Sequence, residues 1–317
     1  MIPALVLTAG LGTRLRPLSL VRAKAALPVA GAPLVGRILR WLAASGVTDA
    51  VLNLHHLPHT ITGIVGDGSG AGVRVRYSWE MPVLGSAGGP RRALSLLPPG
   101  ERGSTVFIVN GDTLTDVDLA ALARAHRATG ALVTMAVVPN SQPGKYGGVA
   151  AGADGVMTGF VARGASQPSF HFVGVQAAEA DAFASVPDGV PFEVRALYPA
   201  LSAARRDAVR VFPCAAECLD IGTPADYVAT TRLLASREAG AAPGGARTEI
   251  HPSARVLDSI LWDDVVVERD VELRECIVTD GVRVPAGSAW TGVAMRVATE
   301  ELSPGERRVD RLAIAPV

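Results

Sequence analysis

Ile2-Pro3-Ala4-Leu5-Val6-Leu7 runs directly into Thr8-Ala9-Gly10-Leu11-Gly12-Thr13-Arg14-Leu15-Arg16-Pro17-Leu18. An apolar run of strand length that empties into a glycine loop bearing two arginines reads as a phosphate site. Gly10 and Gly12 permit positive φ and close backbone approach, so successive N–H groups can point at phosphate oxygens. Arg14 and Arg16 add planar, permanently charged forks. The loop lacks the Gly-Lys-Ser/Thr ending of the Walker motif, and Leu15 stands where the dinucleotide fingerprint has its third glycine. It is a third kind of phosphate loop.

Outward from the loop the chain alternates strand and helix. Residues 4–8 read as a buried strand, 33–44 as a helix with proline at its start and Gly46 beyond its end, and 47–54 as the next strand. A short helix over 57–65, a strand over 73–77, a helix over 89–97 ended by Pro98-Pro99, and a β-branched strand over 105–110 follow. The pattern predicts an α/β fold: a Rossmann-like, mainly parallel sheet covered by helices, which binds ligands at strand carboxyl ends. Both the glycine loop and Asp112 fall at such ends. Further on, the sequence reads as a helix over 119–129, a strand over 131–138, shorter β segments around 147–150, 155–161 and 170–176, and a closing helix over 224–236 with Thr223 as N-cap. Asp116 and Asp118 read as caps of the helix that follows them.

A glycine, alanine and proline linker occupies 237–247 and divides a first domain, 1–236, from a tail, 248–317. In the tail, apolar residues recur at intervals of about six, at Ile250, Val256, Val265, Val271, Ile277 and Val282. This texture implies hexapeptide repeats, roughly two coils of a short left-handed parallel β-helix. An open last coil would leave an exposed edge, so either a homo-oligomer formed through the tail or capping by residues 288–317 is expected.

Lysine is scarce: Lys24 and Lys145 stand against 28 arginines. A lysine kept just after the loop, in Ala23-Lys24-Ala25, suggests a task for a compact ammonium on a phosphate. At this point the motifs resemble those of the sugar-1-phosphate nucleotidyltransferases. The carriers are the glycine loop with Lys24 and Leu27-Pro28-Val29, then Leu84-Gly85-Ser86-Ala87-Gly88-Gly89 and Val109-Asn110-Gly111-Asp112. Tyr146-Gly147-Gly148, Phe172-Val173-Gly174 and Leu219-Asp220-Ile221-Gly222-Thr223-Pro224-Ala225-Asp226-Tyr227 complete the set, in register over about residues 1–235.

The resemblance implies nucleotidyl transfer from a nucleoside triphosphate to a sugar 1-phosphate. Arg14, Lys24 and Asp112 would be catalytic, and Asp112 with Asp220 would hold Mg²⁺, which prefers one or two carboxylates plus phosphate oxygens and water. Ala9, Gly10, Gly12, Thr13, Arg14, Gly85, Ala87, Gly88 and Asn110 would bind the nucleotide. Gly147, Arg163, Gly174 and Glu193 would face the sugar phosphate. Two departures stand out. Ala23 replaces the family's usual proline before the lysine, and 159–164 lacks the usual Glu-Lys-Pro sugar contact, for which Arg163 and Glu193 are the candidate substitutes. GTP with mannose 1-phosphate is the leading pair. Uridylyl or thymidylyl transfer to N-acetylmuramate or glucose 1-phosphate is the alternative, and a non-catalytic regulatory binder of nucleotide sugars is the reading from another class.

Thirty basic and thirty acidic residues give no net charge, so no overall field would draw nucleic acid or anionic lipid. No apolar stretch reaches the ~18 residues of a membrane span, and the N-terminus lacks a charged signal region, which suggests the cytoplasm. Three cysteines, Cys214, Cys218 and Cys276, fit no disulfide framework and read as reduced and structural. Pro58 breaks the helical spacing of His55, His56 and His59, so oxygen ligands are preferred to a histidine metal site.

Overall fold

The computed structural model describes residues 1–97, 105–238 and 244–317. From the N-terminus the elements are β1 (Ala4–Leu7), β2 (Pro28–Val29), β3 (Ala32–Pro33), α1 (Leu34–Ala44), β4 (Asp49–Leu54), α2 (Pro58–Val65), β5 (Arg74–Trp79), α3 (Gly85–Ala93), β6 (Thr105–Asn110) and β7 (Thr113–Thr115). They continue with α4 (Leu119–Thr129), β8 (Val133–Pro139), β9 (Gly148–Ala151), β10 (Met157–Val161), β11 (Phe170–Glu179), α5 (Val194–Ala204), β12 (Val209–Pro213), β13 (Cys218–Asp220) and α6 (Pro224–Arg237). The chain forms two compact units, Met1–Gly10 with Val35–Leu219, and Leu11–Leu34 with Asp220–Val317. This division by compactness differs from the linear one drawn at 237–247, whose residues 239–243 lie outside the described ones.

In the first unit, β6, β1, β4 and β5 pair in parallel in that order. All six residues of β4 are buried, as a central strand covered on both faces demands. The sheet is mixed rather than mainly parallel, which corrects the expectation. β11 pairs antiparallel with β6, β8 and β9, and β9 with β10, while β12 returns parallel to β8. The reason lies in the connections: β9, β10 and β11 follow one another with no intervening helix, and parallel pairing needs a crossover. Leu5, Val51, Ile108, Val133, Phe183 and Tyr198 share one core. Asp118 caps α4 by accepting from Ala121 N–H at 2.9 Å, as its placement suggested. Asp116 instead accepts from Glu217 N–H at 2.7 Å. Helix α3 begins at Gly85, four residues earlier than expected, because the 190–192 segment binds its glycine-rich first turn.

In the second unit, the segment Leu11–Leu34 winds through three short 3-10 turns, Thr13–Leu15, Leu18–Leu20 and Lys24–Ala26, around the fully buried Leu15, Leu18 and Leu27. Thr223 caps α6, accepting from Asp226 N–H at 3.2 Å and donating to the Asp226 carboxylate at 2.8 Å. The Tyr227 hydroxyl donates to Pro28 O at 2.6 Å and accepts from Trp262 Nε1 at 2.9 Å, so α6, the loop and the tail share one core.

The tail continues with β14 (Glu249–Ile250), β15 (Arg255–Leu257), β16 (Ile260–Leu261), β17 (Val266–Val267), β18 (Glu272–Arg274), β19 (Ile277–Val278), β20 (Arg283–Val284) and β21 (Ala289–Thr291). It ends with β22 (Val293–Val297), β23 (Arg307–Val309) and β24 (Leu312–Pro316). Three parallel sheets form, β14-β17-β20, β15-β18-β21 and β16-β19-β22, giving three rungs where roughly two coils were expected. Glu249 pairs with Val266 and Val266 with Arg283, so each rung consumes seventeen residues. Val265, Val271 and Val282 belong to the tail's core, whereas the expected Ile277 is buried outside that cluster and its neighbours Cys276 and Val278 enter it. After β22 the chain reverses: β24 pairs antiparallel with β22 and β23 with β24, which covers the β22 edge with the chain's own residues. No helix among the described residues is long and apolar enough to cross a membrane.

Candidate functional site

In the first unit, β1 ends where the glycine loop starts, and its last turn is tied to the end of β4. Asn53 Oδ1 accepts from Thr8 N–H at 2.6 Å and from Ala9 N–H at 3.2 Å, and the Thr8 hydroxyl donates to Asn53 O. The Asn110-Gly111-Asp112 turn crosses the same strand end. Gly111 N–H donates to Leu7 O at 2.9 Å, and a Cβ on Gly111 would lie 2.6 Å from that oxygen. Only glycine lets the turn come this close. Asp112 Oδ1 accepts from the Thr113 hydroxyl at 3.2 Å. Gly174, at φ +80°, turns β11 beside Asn110, whose Cβ would be 3.1 Å from a Cβ at 174. The expected residues Ala9, Gly10, Asn110, Asp112 and Gly174 are therefore gathered at the carboxyl ends of β1 and β6.

The 84–89 segment is built differently from its reading as a base-contacting loop. Ala87 N–H and Gly88 N–H both donate to Phe192 O, at 2.9 and 3.1 Å, and Phe192 N–H donates back to Leu84 O at 2.8 Å. Ala87 and Gly88 are buried, and a Cβ on Gly88 would lie 2.6 Å from Val190 O. Their small size admits the 190–192 segment, and their N–H groups are already taken. Glu193 is likewise engaged: its carboxylate accepts from Ser86 N–H at 3.2 Å and from the Ser86 hydroxyl. A carboxylate on the first turn of α3 suits the positive end of the helix. Glu193 thus braces α3 against the start of α5.

Arg195 is a residue that the motif reading missed. Its guanidinium lies over the Phe160 ring, 5.1 Å from the centroid, and would be 3.3 Å from a Cβ on Gly147, where Arg163 N would be 3.7 Å away. Gly147, Arg163 and Arg195 therefore share one corner, with both arginine side chains exposed. The only sequence signal for Arg195 was its place two residues after Glu193. Nearby, the His171 and Tyr146 rings meet at a tilt of 40° with centroids 4.3 Å apart. Burial first, and the Lys145 charge second, hold His171 below the ordinary histidine range. His55 Nδ1 lies 2.9 Å from the Glu80 carbonyl oxygen, in keeping with a structural role.

In the second unit, Gly12 sits in the left-handed region at φ +60°, with the Ser19 hydroxyl donating to its carbonyl at 2.7 Å. A Cβ there would touch Ser19 Cβ at 3.1 Å and Lys24 Cβ at 3.5 Å, so the loop folds back on the lysine. Thr13 and Arg14 form the exposed turn that follows. Gly222 is the point of convergence for the other motif: a Cβ on it would lie 3.0 Å from Asp220 Oδ2, 3.3 Å from Asp226 Oδ2 and 3.5 Å from the Arg14 guanidinium. Two carboxylates and a guanidinium around a bare glycine suit a cation and a phosphate. Asp112 and Asp220 are both partly exposed and offer only oxygen, the donor chemistry that Mg²⁺ takes.

The chain matches the family model described as nucleotidyl transferase over residues 3–174. Mannose-1-phosphate guanylyltransferase of Mycobacterium tuberculosis is 33% identical over 301 residues, 90% of this chain and 82% of that protein. N-acetylmuramate alpha-1-phosphate uridylyltransferase of Neisseria meningitidis serogroup B is 44% identical over 120 residues, 37% of this chain and 50% of that protein. Among solved structures, HddC from Yersinia pseudotuberculosis complexed with GMP-PN superposes with a TM-score of 0.64, covering 74% of this chain and 100% of that one. At 21% identity that likeness speaks for the fold alone. The glycine turn that follows β1 and the Asn110–Asp112 turn hydrogen-bonded to the last residue of β1 both lie inside the matched region, and the chain belongs to the nucleotidyl transferase family, among the sugar-1-phosphate nucleotidyltransferases.

Proposed function

We propose that this chain transfers a nucleotidyl group from GTP to mannose 1-phosphate, giving GDP-mannose and pyrophosphate. A phosphate oxygen of the sugar attacks the α-phosphorus, the anhydride bond to the β-phosphate breaks, and pyrophosphate leaves in line. No protein nucleophile is required, so catalysis rests on bringing two polyanions together and neutralising them. Arg14 holds the departing pyrophosphate. Lys24 meets the α-phosphate or the sugar phosphate, with Thr13 and the Gly10–Gly12 backbone beside them. Asp112 and Asp220 would hold Mg²⁺, which when bound supplies positive charge to the phosphates. Arg163 and Arg195, at the Gly147 corner, meet the sugar phosphate in place of the absent Glu-Lys-Pro. The tail is a short left-handed parallel β-helix, and a cytoplasmic homo-oligomer is the expected form.

The observation that carries this reading is the Gly111 N–H bond to Leu7 O, which sets a carboxylate turn against the strand that opens into the phosphate loop. The nearly full-length likeness to a guanylyltransferase supports the substrate pair. One observation favours a second reading, uridylyl transfer to N-acetylmuramate 1-phosphate: the local 44% identity to that uridylyltransferase. The test is pyrophosphate release with Mg²⁺ from GTP, UTP, dTTP, CTP and ATP, each with mannose, glucose and N-acetylmuramate 1-phosphates. Turnover with GTP and mannose 1-phosphate is expected. Asp112→Asn should cut that rate by about 10³-fold or more while leaving GTP affinity within a few-fold. UTP with N-acetylmuramate 1-phosphate as the preferred pair would select the second reading. Silence across the grid with retained nucleotide binding would select a regulatory binder.

A further inference from the structure

Two segments whose residues the motif resemblance assigns to the nucleotide, the 8–10 turn with Ala9 and Gly10 and the start of α3 with Gly85, are joined by a buried line of hydrogen bonds. Thr8 N–H and Ala9 N–H donate to Asn53 Oδ1, Asn53 Nδ2–H donates to Glu80 Oε1 at 2.7 Å, and Leu84 N–H donates to Glu80 Oε2 at 2.8 Å. Asn53 is 4% exposed and Glu80 3% exposed. Helix α3 closes over the junction: a Cβ on Gly89 would lie 2.6 Å from Glu80 Oε1 and 2.8 Å from Asn53 Nδ2. None of the motifs read from the sequence includes either residue.

The line has a direction, and the direction explains both residue types. Every donor points toward Glu80, whose carboxylate accepts from Asn53 on one oxygen and from Leu84 on the other. Asn53 must accept on one side and donate on the other, which an amide does and a carboxylate does not. Low surrounding polarity strengthens each of these bonds and raises the cost of reversing one. We propose that Asn53 and Glu80 are positioning residues for the nucleotide: they fix the β1 glycine turn against the start of α3, and so set nucleotide affinity without touching the reacting atoms. This rests on the functional reading above.

A polarity swap tests it. Asn53→Asp alone sets two carboxylates face to face. Glu80→Gln alone leaves either Leu84 N–H or Asn53 Nδ2–H facing another N–H group. The double variant N53D/E80Q restores every bond: the carboxylate introduced at position 53 would accept from Thr8 and Ala9, the amide introduced at position 80 would donate to that carboxylate, and the amide oxygen would accept from Leu84. Net charge is the same as in the parent. Each single variant should raise the KM for GTP about tenfold, a loss of about 1.4 kcal/mol, with the KM for mannose 1-phosphate within twofold. The double variant should return the GTP KM to within about threefold of the parent, a coupling that only a direct pair shows.

Thermal unfolding and equilibrium binding of GTP are measured on all four proteins. The proposal is overturned if the folded single variants keep GTP affinity within twofold, if both KM values rise together, or if the double variant is no better than the worse single one. Should neither single variant fold, the double variant decides alone: folded with near-parental GTP affinity it supports the proposal, and otherwise the proposal fails. A parent that binds GTP but turns over no pair overturns the transferase reading and leaves the binding comparison to judge the positioning role. A parent that binds no nucleotide overturns both.

Discussion

Gly111 has backbone oxygen where a side chain would start. With Leu7 O 2.6 Å and Thr8 Cγ2 2.7 Å from the would-be Cβ, Gly111→Ala must push the Asp112 turn off β1. Overpacking of this kind costs about 1–3 kcal/mol, and a displacement of about 1 Å at a reacting centre can cost ~10²-fold in rate. G111A should therefore unfold at lower temperature and lose at least that factor in kcat for pyrophosphate release. Gly63 is the control, since it lies within α2 with nothing inside 4 Å of its would-be Cβ. G63A should keep full activity and gain about 0.5–1 kcal/mol from helix propensity. The two glycines are indistinguishable as letters. Asn110, Asp112, Arg14 and Lys24 were legible because charge and turn chemistry sit in short motifs. Asn53 and Glu80 were not, because a buried pair separated by 27 residues leaves no local pattern.

Helices with strong ends were readable as elements. The 119–129 helix was placed at its observed bounds because Asp118 and Gly130 mark both ends, whereas α3 was misplaced because its glycines have low helix propensity and its first turn is held by Phe192 O. In the tail, the corners of the first two rungs use Asp258, Asp264, Asp270 and Glu275 at positive φ, between 47° and 58°, whereas the third turns on Gly281, Gly287 and Gly292, so no one turn residue marks the repeat. Besides their backbone ladders, the strands that close the tail are tied by a buried ion pair. Arg296 reaches Glu306 through two bonds of 2.7 Å, with side-chain exposures of 5% and 1%, and Ser303 N–H donates to the same carboxylate. Burial alone would push the Glu306 carboxyl up, but Arg296 and Ser303 outweigh it and hold it below the usual range. The pair's contribution is therefore present above the unfolded carboxylate range near 4 and is lost as pH falls through the lower folded value. Arg296→Met removes the counter-charge and leaves burial to raise Glu306. R296M should be less stable by about 3–5 kcal/mol at pH 7, and the sign of its pH dependence should reverse, with stability rising as pH falls from 7 to 5. Chemical denaturation at several pH values reads both effects, and a slope unchanged from the parent would rule out this account.

Across the molecule, the segment that carries Arg14 and Lys24 belongs to the same compact unit as the tail, and its anchor is Arg22. The Arg22 guanidinium donates to Asp280 at 2.6 and 2.7 Å and to Asp263 at 2.6 Å, lies 5.4 Å from the centroid of Trp262, and is 12% exposed. Burial opposes its charge, yet the two carboxylates more than compensate and leave it above the ordinary arginine range. Asp263 and Asp280 stand one rung apart on the same corner, so the stacking of the tail itself creates the paired acceptor. A linear reading that drew a boundary at 237–247 treated the tail as an appendage, because the partners of Arg22 lie more than two hundred residues away along the chain. The geometry makes the tail part of what holds the Leu11–Leu34 segment in shape. Asp263→Asn with Asp280→Asn keeps the shape of both side chains but removes both charges from around a largely buried guanidinium. The double variant should lose about 3 kcal/mol of stability, and its KM for the nucleoside triphosphate should rise several-fold because Arg14 and Lys24 are carried on the loosened segment. Arg22→Met in the same background removes the unpaired charge and should recover most of the stability but not the KM, since the loop would still lack its anchor. Recovery of both together would mean that only the buried charge mattered, and no change in KM at any stage would make the tail independent of the phosphate loop.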